Sequence, residues 1–144
     1  MPVRHLNPYL NFDGTAAQAV ALYERALGAK TDNIQRFGDI PGMDVKPADK
    51  DRVMHAVLRI GGGTVMLSDS RPGQPVPAES NTWIALDYED PAEMAKQFDA
   101  LGAGGQIVMP LQDTFWGAKF GMLTDAYKIS WMFNCDIKKD DKKA

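Results

Sequence analysis

The 144-residue sequence holds a single cysteine, Cys135, so no internal disulfide can staple the chain, which fits a reducing compartment. It also lacks a basic surplus. Sixteen Lys and Arg stand against 19 Asp and Glu, for a net charge of -3, and this balance argues against nucleic acid as a partner. No apolar run approaches membrane-spanning length, and the opening Met1 to His5 has no apolar signal core. The expectation is a cytoplasmic protein without a membrane partner. What is present is ordinary for a globular domain: 44% hydrophobic and 24% charged residues, in a length that suits one domain with a proper core.

Alternation from Val3 to Phe12 predicts a strand with Leu6, Pro8, Leu10 and Phe12 on its apolar side. Pro8 lacks an N–H, which places that strand at a sheet edge or makes it irregular. Thr15 and Gln18 have capping-box spacing before an alanine-rich run that closes at Leu27-Gly28, a helix. A short strand is expected over Thr31 to Phe37, followed by a mobile loop over Gly38 to Arg52, rich in Asp, Pro and Gly. Val53 to Ile60 alternates again, and Gly61-Gly62-Gly63 reads as a hairpin turn into Thr64–Asp69. A phosphate-binding reading of the glycines fails, because no helix N-terminus follows them.

The proline-rich stretch 71–80 reads as a linker between module one, about 1–70, and module two, about 81–135. In the second half Asn81 to Tyr88 is a strand, and Asp90, Pro91 and Glu93 start a helix ending at Leu101-Gly102. Strands follow at Gln106 to Met109, Lys119 to Thr124 and Ile129 to Cys135. The segment 136–144 carries mixed charge without periodicity and reads as a frayed tail. Ala26-Leu27-Gly28-Ala29 recurs as Ala100-Leu101-Gly102-Ala103, each copy at a helix end before a strand. The matching element order around both copies makes duplication the simplest account.

Pro8-Tyr9-Leu10-Asn11-Phe12, then Ala19, Leu22-Tyr23 and Leu27-Gly28, are followed by His55-Ala56-x-Leu58, Met66-Leu67-Ser68-Asp69, and an ending from Trp116-Gly117 through Trp131-Met132-Phe133-Asn134. In order and spacing these resemble the PhnB-like branch of the vicinal-oxygen-chelate superfamily, over nearly the whole chain. One departure stands out: the family's Asp-Pro-Phe-Gly turn reads Asp125-Ala126-Tyr127-Lys128, which leaves the geometry of that hairpin open. The resemblance implies an α+β fold of two tandem βαβββ modules, whose curved mixed sheets surround a concave cavity.

Enzymes of this superfamily hold a divalent metal through His, Gln or Glu on the first and last strands of each module. The resemblance places those positions at or near Asn7, Leu67, Trp83 and Met132. Divalent cations want carboxylate or imidazole donors, so no metal and no cofactor are expected. The spread-out Asp39, Asp44, Asp49 and Asp51 lack the spacing of a calcium loop. With the four matched positions inward, alternation adds His5, Tyr9, Asn11, His55, Val57, Arg59, Asp69, Ala85, Phe120, Met122 and Ser130 to the cavity lining. A slip of one residue would turn every one of them outward.

His55 is the candidate catalytic residue, as general base or as donor to a ligand; its bland reading is a structural histidine tied to Asp69 or to backbone. His5 reads as exposed, and Asp69 as a partner of Arg59 or His55 or as a cap on the linker turn. Trp83, Trp116 and Phe120 read as an aromatic clamp for a flat ligand or as core or dimer packing. Trp131 and Cys135 fall on the opposite face from Met132 and should be buried. The expected function is metal-free binding of a small molecule by a homodimer, in the manner of bleomycin-resistance proteins. A metal-dependent enzyme of glyoxalase or dioxygenase type is the alternative. A methyltransferase ranks last, for want of a glycine-rich nucleotide loop.

Overall fold

The computed structural model describes residues 2–137, so the expected tail lies outside the described residues except for its first two positions. The chain falls into two compact units, Met1–Pro77 and Ala78–Ala144, divided within the proline-rich stretch.

In the first unit the order is β1 (Tyr9–Phe12), α1 (Ala16–Leu27), β2 (Lys30–Arg36), β3 (Val53–Ile60) and β4 (Gly63–Asp69). The sheet runs β1-β4-β3-β2, with β1 parallel to β4 and the other pairs antiparallel. β1 is shorter than alternation suggested. Pro8 still accepts a bond at its carbonyl from Met66 N (3.0 Å), but regular pairing begins only at Tyr9, and Leu6 is left exposed. The segment between β2 and β3 carries two 3-10 turns, Phe37–Asp39 and Pro47–Asp49.

Helix α1 covers one face of this sheet, and the register fixes which one. Leu10 pairs with Leu67, and Leu67 with Ala56; these, with Phe12, Leu58 and Val65, form the core under the helix. The helix ends as expected, with Gly28 left-handed at φ 66°. Its start differs. Thr15 makes no side-chain cap; instead Asp69 Oδ1 accepts from Ala16 N at 3.0 Å. Asp69 Oδ2 accepts from Val53 N at 2.9 Å, so this buried carboxylate is satisfied by backbone on both sides.

The second unit repeats the order as β5 (Ile84–Tyr88), α2 (Pro91–Gly102), β6 (Gln106–Asp113), β7 (Ala118–Thr124) and β8 (Ser130–Asp136). Its sheet runs β5-β8-β7-β6, with β5 parallel to β8. β6 extends beyond the expected end and contains Pro110, which an edge strand tolerates and which sits within its register shifts. Here the helix caps itself: Asp90 Oδ1 accepts from Ala92 N at 3.0 Å. The glycines of the repeated tetrapeptide serve different ends. Gly102 is helical, and a Cβ there would lie 2.9 Å from Ile107 Cδ1, the end of a flexible side chain that would have to shift.

Trp131, Phe133 and Leu123 fill the core beneath α2, with Phe98 meeting Phe133 edge-on at 5.0 Å. Asp125 is buried beside them, and its carboxylate accepts from Tyr127 N (2.8 Å), Ile129 N (3.1 Å) and Trp131 Nε1 (2.9 Å). The β7–β8 turn is closed by Lys128 N donating to Asp125 O at 3.0 Å. Lys128 itself is left-handed, at φ 76°. The turn thus keeps a left-handed residue at the position where the family pattern has glycine.

Candidate functional site

Each sheet has one face covered by its helix and one that the helix leaves open. In the first unit the open face follows from the register: Tyr9 pairs with Met66, Met66 with Val57, Gln35 with His55, and Lys30 with Arg59. Tyr9 and His55 come together there. The Tyr9 hydroxyl lies 3.3 Å from His55 Nδ1, and their rings are 5.9 Å apart. Arg59 projects from the same face but is engaged with Asp32, Nε to Oδ2 at 2.9 Å. Asn7 is half-buried just ahead of β1, outside the regular strand, and His5 is exposed.

In the second unit Met109, Met122, Met132 and Ala85 form one registered row across β6, β7, β8 and β5. Phe120 stands one rung away, opposite Asn134, whose Nδ2 donates to Asp87 Oδ1 at 3.1 Å. Trp116 meets Phe120 edge-on at 5.7 Å and Phe115 at 5.0 Å. These two residues top the β6–β7 hairpin at 98% (Phe115) and 55% (Trp116) exposure. Trp83 is half-buried immediately before β5, two residues from Ala85.

Two expected lining residues are corrected. Leu67 and Asp69 stand on the helix face, opposite His55, and both are buried. Asp69 pairs with neither Arg59 nor His55 and caps no linker turn; it anchors the starts of α1 and β3. The slip arose because Val65-Met66-Leu67 is a continuous apolar run without alternation, so the family match alone chose the inward residue. The residue of β4 that corresponds to Met132 is Met66, since each pairs with the first strand of its module in parallel. Met109 was missed for a different reason: Pro110 interrupts the strand pattern directly after it.

A pocket of about 440 Å³ lies beside the start of α2, lined by Glu89, Asp90, Pro91, Lys119, Cys135, Asp136 and Ile137. It is separate from the open-face rows. Burial pushes the Cys135 thiol pKa up, with Asp87, Asp136 and Asp90 adding to the effect and Lys119 opposing it, so Cys135 is a poor nucleophile there. Among the described residues, no three His, Cys, Asp or Glu side chains gather as a metal-binding group. No helix among them is long and apolar enough to cross a membrane.

Comparison with known proteins places this geometry. Protein YjdN of Escherichia coli (strain K12) is 35% identical over 138 residues, covering 90% of this chain and 93% of its own. The crystal structure of protein PA1353 from Pseudomonas aeruginosa is 37% identical, with a TM-score of 0.84 over 94% of this chain and all of that one (100%). A Bacillus cereus structure described as "Putative 3-demethylubiquinone-9 3-methyltransferase, PhnB protein" is 26% identical, with a TM-score of 0.77 over 92% of this chain and 99% of that one. The Glyoxalase family model, described as Glyoxalase/Bleomycin resistance protein/Dioxygenase superfamily, matches residues 5–133. With two βαβββ modules and that match over most of its length, the chain belongs to the Glyoxalase/Bleomycin resistance protein/Dioxygenase superfamily.

Proposed function

We propose that this protein binds a small molecule on the open faces of its sheets and does so without a metal ion. The observation that carries the reading is the helix-free row Met109, Met122 and Met132 with Phe120 beside it. These side chains are half-buried, apolar and accompanied by few polar groups. Methionine adapts to ligand shape, and a mostly apolar lining with a few polar groups is typical of ligand sites. Asn7, Tyr9, His55, Arg59, Trp83, Phe120, Met122 and Met132 remain the proposed contact residues; Leu67 and Asp69 do not.

The superfamily's metal does not fit the residues present. With Met66 standing on the open face in place of Leu67, the matched positions Asn7, Met66, Trp83 and Met132 carry an amide, an indole and two thioethers. Soft thioethers are poor donors for hard or borderline divalent cations. The protein is further proposed to work as a homodimer in the cytoplasm. Support for pairing comes from the edge strands β2 and β6 and from exposed Ile107, Val108, Phe115 and Trp116.

The test is methyl NMR of the intact protein during a screen of small aromatic compounds, together with elemental analysis. Saturable shifts of the Met122 and Met132 methyls, in protein carrying no stoichiometric metal, are expected. Near-stoichiometric zinc, nickel, iron or manganese, or a screen that moves no open-face resonance, would overturn the reading.

A further inference from the structure

On the open face of the first sheet the structure joins two residues from different strands, Tyr9 of β1 and His55 of β3, with the hydroxyl 3.3 Å from Nδ1. A phenol donates better than it accepts, because its oxygen lone pair is delocalised into the ring. The favoured polarity is therefore Tyr9 O–H donating to His55 Nδ1. A neutral imidazole has one donor and one acceptor nitrogen, so this bond leaves the ring proton on Nε2. At 3.3 Å the spacing is at the long end for a hydroxyl donor.

The strand neighbours of the pair are uncharged. Gln35 stands opposite His55 on β2, and Val57 and Met66 lie between His55 and Tyr9 in the register. Asn11 and Ser68, paired further along the same face, are also neutral. Among the described residues, the ion pair along this face is Arg59 with Asp32, at the other end of β3. No carboxylate at these positions repels an anionic oxygen, and no free cation there matches a doubly charged one.

Resting on the small-molecule reading above, we propose that Tyr9 sets His55 as an Nε2–H donor for a carboxylate oxygen of the ligand, with Tyr9 as the positioning residue. The ligand class is then an aromatic or apolar monocarboxylate. A ligand presenting only donors in that place is rejected, because the His55 acceptor is already taken by Tyr9.

Two probes with one ring separate the possibilities: benzoate, which offers an acceptor, and benzamidine, which offers only donors. Each is titrated into isotope-labelled intact protein while the His55 ring and the Met122 and Met132 methyls are followed. Benzoate should shift the His55 ring saturably, and benzamidine should not. Tyr9→Phe, at a half-exposed position where the fold has little to lose, should melt like the parent and weaken benzoate about fivefold, the worth of one hydrogen bond. His55→Gln, which keeps an N–H donor, should retain more benzoate affinity than His55→Ala. If benzamidine moves His55 equally, or Tyr9→Phe binds benzoate unchanged, the pairing proposal falls. Methyl shifts without any His55 response would also end it while leaving the binding reading intact. Silence of every ring and methyl with both probes removes both.

Discussion

The indole nitrogen of Trp131 donates to Asp125 Oδ2 at 2.9 Å, and the two residues are almost fully buried, Asp125 opening the turn of the β7–β8 hairpin and Trp131 in its second strand. A large aromatic and a carboxylate are thereby admitted to one core, because each satisfies the other. Trp131→Ala should cost about 3–5 kcal/mol through the cavity alone. Trp83→Ala, at a half-buried site before β5, should cost far less and act on ligand binding instead. Thermal melting of both variants decides; a lower melting point for Trp83→Ala would exchange the faces of the second sheet.

Lys128 holds φ at 76°, a region where an L side chain is strained and glycine is not. Lys128→Gly should raise stability by about 1 kcal/mol, the usual cost of one left-handed residue. Urea unfolding of the pair would show it, and an unchanged or lower midpoint would mean that the lysine side chain makes compensating contacts.

Tyr88 donates to Gln97 Oε1 at 2.6 Å and stacks on Phe133 at 5.7 Å. Burial, with a smaller contribution from the Glu93 charge, lifts its pKa from 10.0 to about 12. The unfolded chain loses this proton near its ordinary pKa while the folded chain keeps it, so unfolding becomes easier as pH rises through the interval between the two. Stability should therefore decline across that interval. In Tyr88→Phe the decline should be shallower; equal slopes in the two proteins would remove the assignment to Tyr88.

Sedimentation at micromolar concentration should return about twice the 15.8 kDa chain mass. A single species at the monomer mass would show that the exposed apolar groups of β6 and its hairpin have no copy of this chain to meet.

The order of elements was legible because each module alternates its periodicities: Ser130 to Asp136 has a strict two-residue pattern, Ala56 to Leu58 keeps one within β3, and both helices end where Leu-Gly or Leu-Gly-Ala closes them. The site was less legible. Register decides a sheet face, and β4 offers no alternation from which to read it. Asp69 was misjudged for a related reason: a carboxylate suggests an exposed or functional face, whereas here two backbone N–H groups satisfy it in the core. The Tyr9–His55 contact depends on β1 and β3 lying on either side of β4, a neighbourhood that only the topology creates.

The two helices also differ in when they can be completed. The N-terminal acceptor of α2 sits two positions from its donor, Asp90 to Ala92, and is present as soon as that segment exists. The acceptor of α1 is Asp69, which lies 53 positions from Ala16 and closes the last strand of its module. The anchoring of helix α1 therefore waits for β4, and the Asp69 contact is expected to form after the transition state. Stopped-flow kinetics of Asp69→Ala and Asp90→Ala would read this difference as faster unfolding in the first and slower folding in the second. A nascent chain arrested between the two modules would then carry a first helix that is anchored only once residue 69 has cleared the ribosome, while the second helix is ready on arrival.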